Sequence, residues 1–356
     1  MRRCTKPNAP VETRCAIPAV SVARSVPALG PATGDPSLIE RIEPGLRAAG
    51  IRDRLSVMHI QDGVHRDAHF GAGPDTEYEI GSVTKTMTSL IFADAVDAGM
   101  VRADTTAGSV LDLGSSHAAD VTLEELASHR SGLPRIASGV KERVEAIAAV
   151  LRHRNPYTAD LPRLLQHARK AKVATRGRFS YSNLGAALLG QALAANAGTG
   201  YPDVLDRHLF TRLGMTRSTT PLTTDELPAN AATGWNANGR AEQAWTLDAY
   251  APAGGVRSTP ADMARYAQAL LDGTAPGLAA LEPRWDADGG RKVGYAWITD
   301  RIDGTDITWH NGATGGFASM LALDRDRHCG VLVLANTAVA VDDIAISLLL
   351  SHGPSA

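Results

Sequence analysis

Apolar positions along this chain switch between helical and strand spacing in a defined order. Leu38, Ile39, Ile42 and Leu46 recur at helical spacing, with Gly50 as the predicted stop. Leu55, Val57 and His59 then alternate with polar or smaller neighbours, Gly63 marks a turn, and His65 to Phe70 gives a second strand. Val83, Met87, Leu90 and Ile91 return to one helical face. Further helices are predicted over 123–128, 144–152, 161–171, 184–197 and 260–271, the last capped by Ser258 or Thr259. Short apolar runs at 306–309, 319–323 and 330–334, separated by turn residues, predict adjacent strands before a closing helix over 342–350.

Helices and strands at both ends around a helical middle predict an α/β (α+β) fold. Segments 36–80 and 290–356 would build a discontinuous antiparallel sheet domain flanked by the terminal helices. Residues 81–289 would form a mainly helical domain, with a cleft at the boundary, where ligand sites are common. Residues 1–35 read as a disordered leader, with prolines at 18, 27, 31 and 36 at its end. Arg2, Arg3 and Lys6 begin like an export signal. However, the apolar run from Ala16 to Ala23 is short, is broken by Pro18 and follows Glu12 and Arg14. The expectation is a tail on a cytoplasmic protein.

The apolar and charged fractions, 44% and 21%, are those of a globular chain. A net charge of −2 offers no general attraction to nucleic acid or anionic lipid. The basic run from Arg169 to Arg178 reads as a solvated face. No stretch approaches the roughly 20 apolar residues of a membrane span. Cys4, Cys15 and Cys329 have no metal-type spacing and predict no disulfide framework. No cofactor motif is present, and oligomeric state is not encoded in any pattern.

Candidate chemistry starts at Gly81-Ser82-Val83-Thr84-Lys85. A helix opening near Gly81 puts Ser82 in its first turn and Lys85 three residues on, so hydroxyl and amine can touch. The helix start adds unpaired N–H groups that favour developing negative charge. Together these are the parts of an activated nucleophile. Ser-x-x-Lys alone is weak, because it recurs at Ser138 to Lys141, read as a loop. Composition adds weight: only six of the 36 basic residues are Lys, leaving 30 Arg. A proton acceptor cannot be Arg, whereas a buried Lys can serve.

Two further stretches complete a site. Tyr181-Ser182-Asn183 is the only Tyr-x-Asn among seven tyrosines and opens a predicted helix. His310-Asn311-Gly312-Ala313 follows a predicted strand; His-x-Gly recurs at 69–71 and 328–330, but only at 310 does a Gly-Gly pair follow. Each stretch alone also fits a purely structural role, as a helix-start turn or a strand-end histidine. In this order they resemble the serine penicillin-recognising family, in the branch with Tyr-x-Asn as second box and His-x-Gly as third. That branch holds class C β-lactamase relatives, serine D-alanyl-D-alanine carboxypeptidases and β-lactamase-like carboxylesterases. The stretches 126–134, 213–215 and 253–259 look familial too, so the resemblance spans roughly 36–350.

The resemblance implies a β-lactamase/transpeptidase-like fold and a serine hydrolase working through an acyl-enzyme on an ester, amide or β-lactam. It makes Ser82 the nucleophile, Lys85 its proton acceptor and Tyr181 the shuttle to the leaving group, with the base left open between Lys85 and Tyr181. Asn183 would bind the substrate amide or the Lys85 amine. His310 would replace a lysine, with a charge sensitive to pH near neutrality. The backbone N–H groups of Ser82 and Ala313 would form the oxyanion hole, and Gly312 would let substrate approach the strand edge. Carboxypeptidases of this branch carry hydroxyl residues where this chain has Asn311 and Ala313. A substrate carboxylate therefore loses two donors, for which Asn311 and Arg301 are the candidate replacements. The expected partner is a small-molecule or short-peptide acyl substrate, with export possible on the resemblance. An acyltransferase and a non-catalytic sensor are the alternatives. A classical α/β-hydrolase lacks its Gly-x-Ser-x-Gly elbow here, and a zinc hydrolase its His-Glu-x-x-His.

Overall fold

A computed structural model describes residues 25–136 and 139–351. At its centre is a nine-stranded antiparallel sheet. Its middle strands are Leu55–Gln61, Cys329–Ala335, Ala318–Asp324 and Thr305–Ala313, paired in that order. Side chains alternate across the pleat, so each strand feeds two cores. Leu321, Leu323, Leu332 and Leu334 face one side; Met320, Ala322, Val331 and Val333 face the other. Both faces are covered, which is why these strands read as continuous apolar runs.

One face packs on the helices Pro36–Ala48 and Asp342–Leu350, through Leu38, Ile42, Leu46, Ala345, Leu348 and Leu349. The other meets the helical half, built around Thr84–Asp97, Asn183–Ala197 and Pro260–Leu271. Thr259 caps the last of these by accepting from the Asp262 N–H, as its sequence signature predicts.

Several expectations change. Ala32–Gly34 is an edge strand paired with Ala68 to Phe70, so the leader reading does not hold for its last residues. Backbone pairing, which composition does not report, decides this. Residues 1–24, including the Ala16–Ala23 run, lie outside the described residues, as do Ser138 and 352–356. The helix expected at 144–152 runs over Val140–Leu151, placing Lys141 in a helix. Ile298–Ile302, too polar to register as a strand, pairs with Thr305–Ala313. Among the described residues, no helix is long and apolar enough to cross a membrane.

Candidate active site

Ser82 lies on a 3-10 turn, Gly81–Val83, that leads directly into the Thr84–Asp97 helix. The turn is pressed against the end of the His310 strand. A Cβ at Gly312 would fall 2.1 Å from the Ile80 carbonyl oxygen and 3.0 Å from the Ser82 nitrogen. A Cβ at Gly81, whose φ is +49°, would fall 2.7 Å from the Ala313 nitrogen. Only glycine tolerates both approaches. Ser319 Oγ, from the neighbouring strand, donates to the Ile80 carbonyl at 2.8 Å and fixes the contact. The Gly81–Ser82 and Gly312–Ala313 backbones thereby come into close contact.

One turn along, Lys85 is buried, 1% exposed. Its Nζ lies 2.9 Å from Ser82 Oγ and also donates to the Ala253 carbonyl. Burial holds the amine well below the ordinary lysine range, and the charge of Arg135 adds to the effect. The Tyr181 hydroxyl is bonded to Ser82, while burial pushes its pKa above the usual tyrosine value against the opposing pull of that bond and of Arg135. Lys85 Nζ sits 5.0 Å from the centre of the Tyr181 ring.

His310 shares the strand face of Gly312 and reaches the same crevice, its ring 6.1 Å from that of Tyr181. Its Nδ1 donates to the Asn311 carbonyl at 2.6 Å, which leaves Nε2 as an acceptor, buried and without a partner among the described residues. Burial, followed by the nearby Lys85, pushes its pKa down to about 3. The expected titration near neutrality is thus corrected: a desolvated imidazole in this setting stays neutral.

Asn183 opens the helix that Ser182 caps, and its Nδ2 donates 2.8 Å to the Tyr157 hydroxyl rather than engaging Lys85. Its Oδ1 is buried with no partner among the described residues. Asn311 is a second correction. Strand alternation turns its side chain to the opposite face, where Nδ2 donates 2.6 Å to Asp342. Arg301 is exposed on the neighbouring hairpin, paired with Asp306 at 2.9 Å, and does not join the crevice. Ser82, Lys85, Tyr181, His310, Gly312 and the Ala313 backbone are brought together, with Asn183 at the edge.

Three neighbours had no role assigned from the sequence, although His129 lies in the familial stretch 126–134. His129 adopts φ +57°, stacks 4.4 Å from Tyr181 and accepts from the Ser182 N–H through Nδ1 at 3.3 Å. Burial, followed by Lys85 and His310, depresses its pKa well below the usual value. Tyr157 holds Asn183. Arg135 is exposed, with its guanidinium carbon 5.4 Å from the Tyr181 ring centre, and no carboxylate pairs with it among the described residues. As one of 30 arginines, it is not marked out by residue type. The strand leading into Ser82 is anchored by Glu79, which accepts from Arg257 Nη1 at 2.8 Å and from the Trp245 N–H at 2.9 Å.

The unguisins hydrolase of Aspergillus campestris is 27% identical over 303 residues, covering 74% of this chain and 53% of that protein. Penicillin-binding protein 4 of Amycolatopsis lactamdurans is 27% identical over 321 residues, 78% of this chain and 76% of that one. The chain thus spans about half the length of the first relative and three quarters of the second. A class C β-lactamase from Rhodobacter sphaeroides superposes with a TM-score of 0.74 at 22% identity, over 89% of this chain and 99% of that one, a likeness of fold. The family model described as Beta-lactamase matches residues 39–350, nearly all of the chain described above, and the protein belongs to that family.

Proposed function

We propose that the protein is a serine hydrolase that forms an acyl-enzyme on Ser82, acting on a neutral ester or amide. The observation that carries this reading is the 2.9 Å contact between Ser82 Oγ and a buried Lys85 amine held below its ordinary pKa. Lowering the pKa of a lysine makes its lone pair more available for the serine proton. Tyr181, whose phenol is pushed the other way, is suited to carry a proton rather than to begin as phenolate. Lys85 is therefore our choice of base.

In the proposed sequence, Ser82 Oγ attacks the carbonyl carbon and its proton passes to Lys85. The amides of Ser82 and Ala313 take the oxyanion. Tyr181 gives its proton to the leaving oxygen or nitrogen and regains one from Lys85. Water then attacks the acyl-Ser82 ester by the reverse relay, releasing the acid and restoring the serine. With His310 uncharged and Asn311 turned away, the third box offers a substrate carboxylate no charged partner, and Arg135 is the cation left at the rim. The neutral ester or amide is therefore favoured over a D-Ala-D-Ala terminus. The hydrolase name of the Aspergillus relative agrees with hydrolysis as the reaction class.

The test is a small p-nitrophenyl ester, with intact-mass spectrometry of the protein during turnover. A burst, steady turnover unaffected by EDTA, a transient acyl mass on the Ser82 peptide, and loss of all three in Ser82→Ala are expected. A burst with no turnover would indicate a sensor. Strong acceleration by added amine or alcohol would indicate a transferase.

A further inference from the structure

Beside the Ser82 crevice lies a cavity of about 490 Å³, within the usual range of small-molecule sites. Ser82 does not line it, but three of its walls also belong to the crevice. Tyr157 accepts from Asn183 at 2.8 Å. Arg135 stands between the cavity and the Tyr181 ring. Trp245 is bonded through its backbone to Glu79, three residues before Ser82, and its indole nitrogen would lie 2.9 Å from a Cβ at Gly315, in the loop after the His310 strand. The cavity therefore shares these three residues with the surroundings of Ser82.

Its lining is mostly carbon. Tyr157 packs at 5.4 Å from Trp245 and 5.3 Å from Tyr250, centre to centre, forming an aromatic corner. Opposite stands the Val140–Leu151 helix, which lines the cavity with Ala149 and with Ile147, Val150 and Leu151 at 60%, 56% and 75% exposure. Large aliphatic side chains are seldom left this exposed together on one helix unless something covers them. The polar groups at the edge already have partners of their own: Glu145 pairs with Arg163 at 2.8 Å, and Asn155 donates 2.7 Å to the Thr246 carbonyl.

We propose that this cavity is the substrate-selectivity pocket of the enzyme and that it takes a bulky apolar group, a medium-length alkyl chain or an aromatic system, carried by the ester or amide. The inference rests on the Ser82 reading for its orientation but not for the pocket itself. The walls it shares with the crevice favour substrate over a protein partner.

Two p-nitrophenyl and alkyl ester series test it, one lengthening the acyl group from acetyl to decanoyl, the other the alcohol. Full burial of a methylene is worth roughly fourfold in affinity. A rise in kcat/KM of about a hundredfold across one series is therefore expected. Ala149→Trp, which fills the pocket, and Ile147→Asp, which charges it from an exposed position, should each reduce the long-to-short ratio at least tenfold. A flat profile in both series, with turnover still lost in Ser82→Ala, overturns the pocket and leaves the hydrolase. If no ester is turned over, the hydrolase fails, and binding of decanoate and phenylbutyrate to Ser82→Ala, read by calorimetry, still decides the pocket. Binding that Ala149→Trp weakens tenfold sustains it, and none at millimolar ligand overturns it. A dimer that buries the Val140–Leu151 helix and is dispersed by Ile147→Asp would also overturn it.

Discussion

Lys85 carries opposite values for stability and for activity. A buried amine whose folded pKa is depressed binds fewer protons than the unfolded chain, so it weakens the fold at every pH below about 10.4. Stability regains that loss as pH rises from the folded pKa towards the unfolded one. Lys85→Met should therefore raise Tm at pH 7, by less at pH 10, while reducing esterase activity to that of Ser82→Ala. Lys85→Arg should be as inactive as Lys85→Met, because guanidinium does not give up its proton. Calorimetry at the two pH values and a p-nitrophenyl ester assay check both halves. Retained activity in the arginine variant would remove Lys85 as base. Arg135 belongs to the same residue-scale account: its charge adds to the lowering of the Lys85 pKa and opposes the rise in the Tyr181 pKa.

At the scale of elements, the crevice depends on the Gly81–Val83 turn and the His310 strand touching backbone to backbone. Gly312→Ala puts a methyl within 2.1 Å of the Ile80 carbonyl, a distance that forces the strand end away from Ser82. If the Ala313 amide moves out of position, the expected loss in kcat is on the order of a hundredfold or more, the value of an oxyanion donor. A Ser319→Ala control, which removes the 2.8 Å bond to Ile80 without adding bulk, should lose less. Equal activity of Gly312→Ala and the parent would disprove the tight contact. The same strand shows why position 311 misled: adjacent residues on a strand face opposite ways, so a motif read as a line of neighbours mixes two faces. His310 and Gly312 point into the crevice, while Asn311 points to the Asp342 helix. The second box fared differently, because Tyr181 precedes the helix start that Asn183 occupies and the two diverge by only one turn of chain.

For the whole molecule, packing of the helical half onto one face of the sheet puts His129 and His310 where water does not reach. His129 and His310 are both neutral in the fold, with pKa values pushed down by burial, whereas in the unfolded chain each would titrate near 6.5. The unfolded state binds more protons below that value, so stability should fall as pH drops from about 6.5 towards 3. Each histidine contributes a slope of about 1.4 kcal/mol per pH unit within its window. Denaturation curves from pH 7 to pH 4 should show the decline, and His310→Gln should remove part of it. An unchanged slope in that variant would mean that His310 titrates normally. Much of this scale was legible beforehand. The alternating Leu and Val runs of 318–335 and the amphipathic spacing of 36–48 and 342–350 carry their own periodicity. The Ala32–Gly34 edge strand and Ile298–Ile302 do not, because backbone pairing holds them and their side chains are largely polar or small.

What the sequence determined by itself was local: the period of each apolar run, the caps, the glycines where two backbones meet, and a lysine in a chain that otherwise prefers arginine. These follow from forces acting within a few residues. Only the tertiary structure decided which polar groups lost their water. Burial lowered the pKa of the Lys85 amine and of the His310 imidazole, packing placed Arg135 over Tyr181 from 46 positions away in sequence, and it set an apolar cavity beside Asn183. Desolvation depends on every element packed around a group, so no short stretch of residues can encode it.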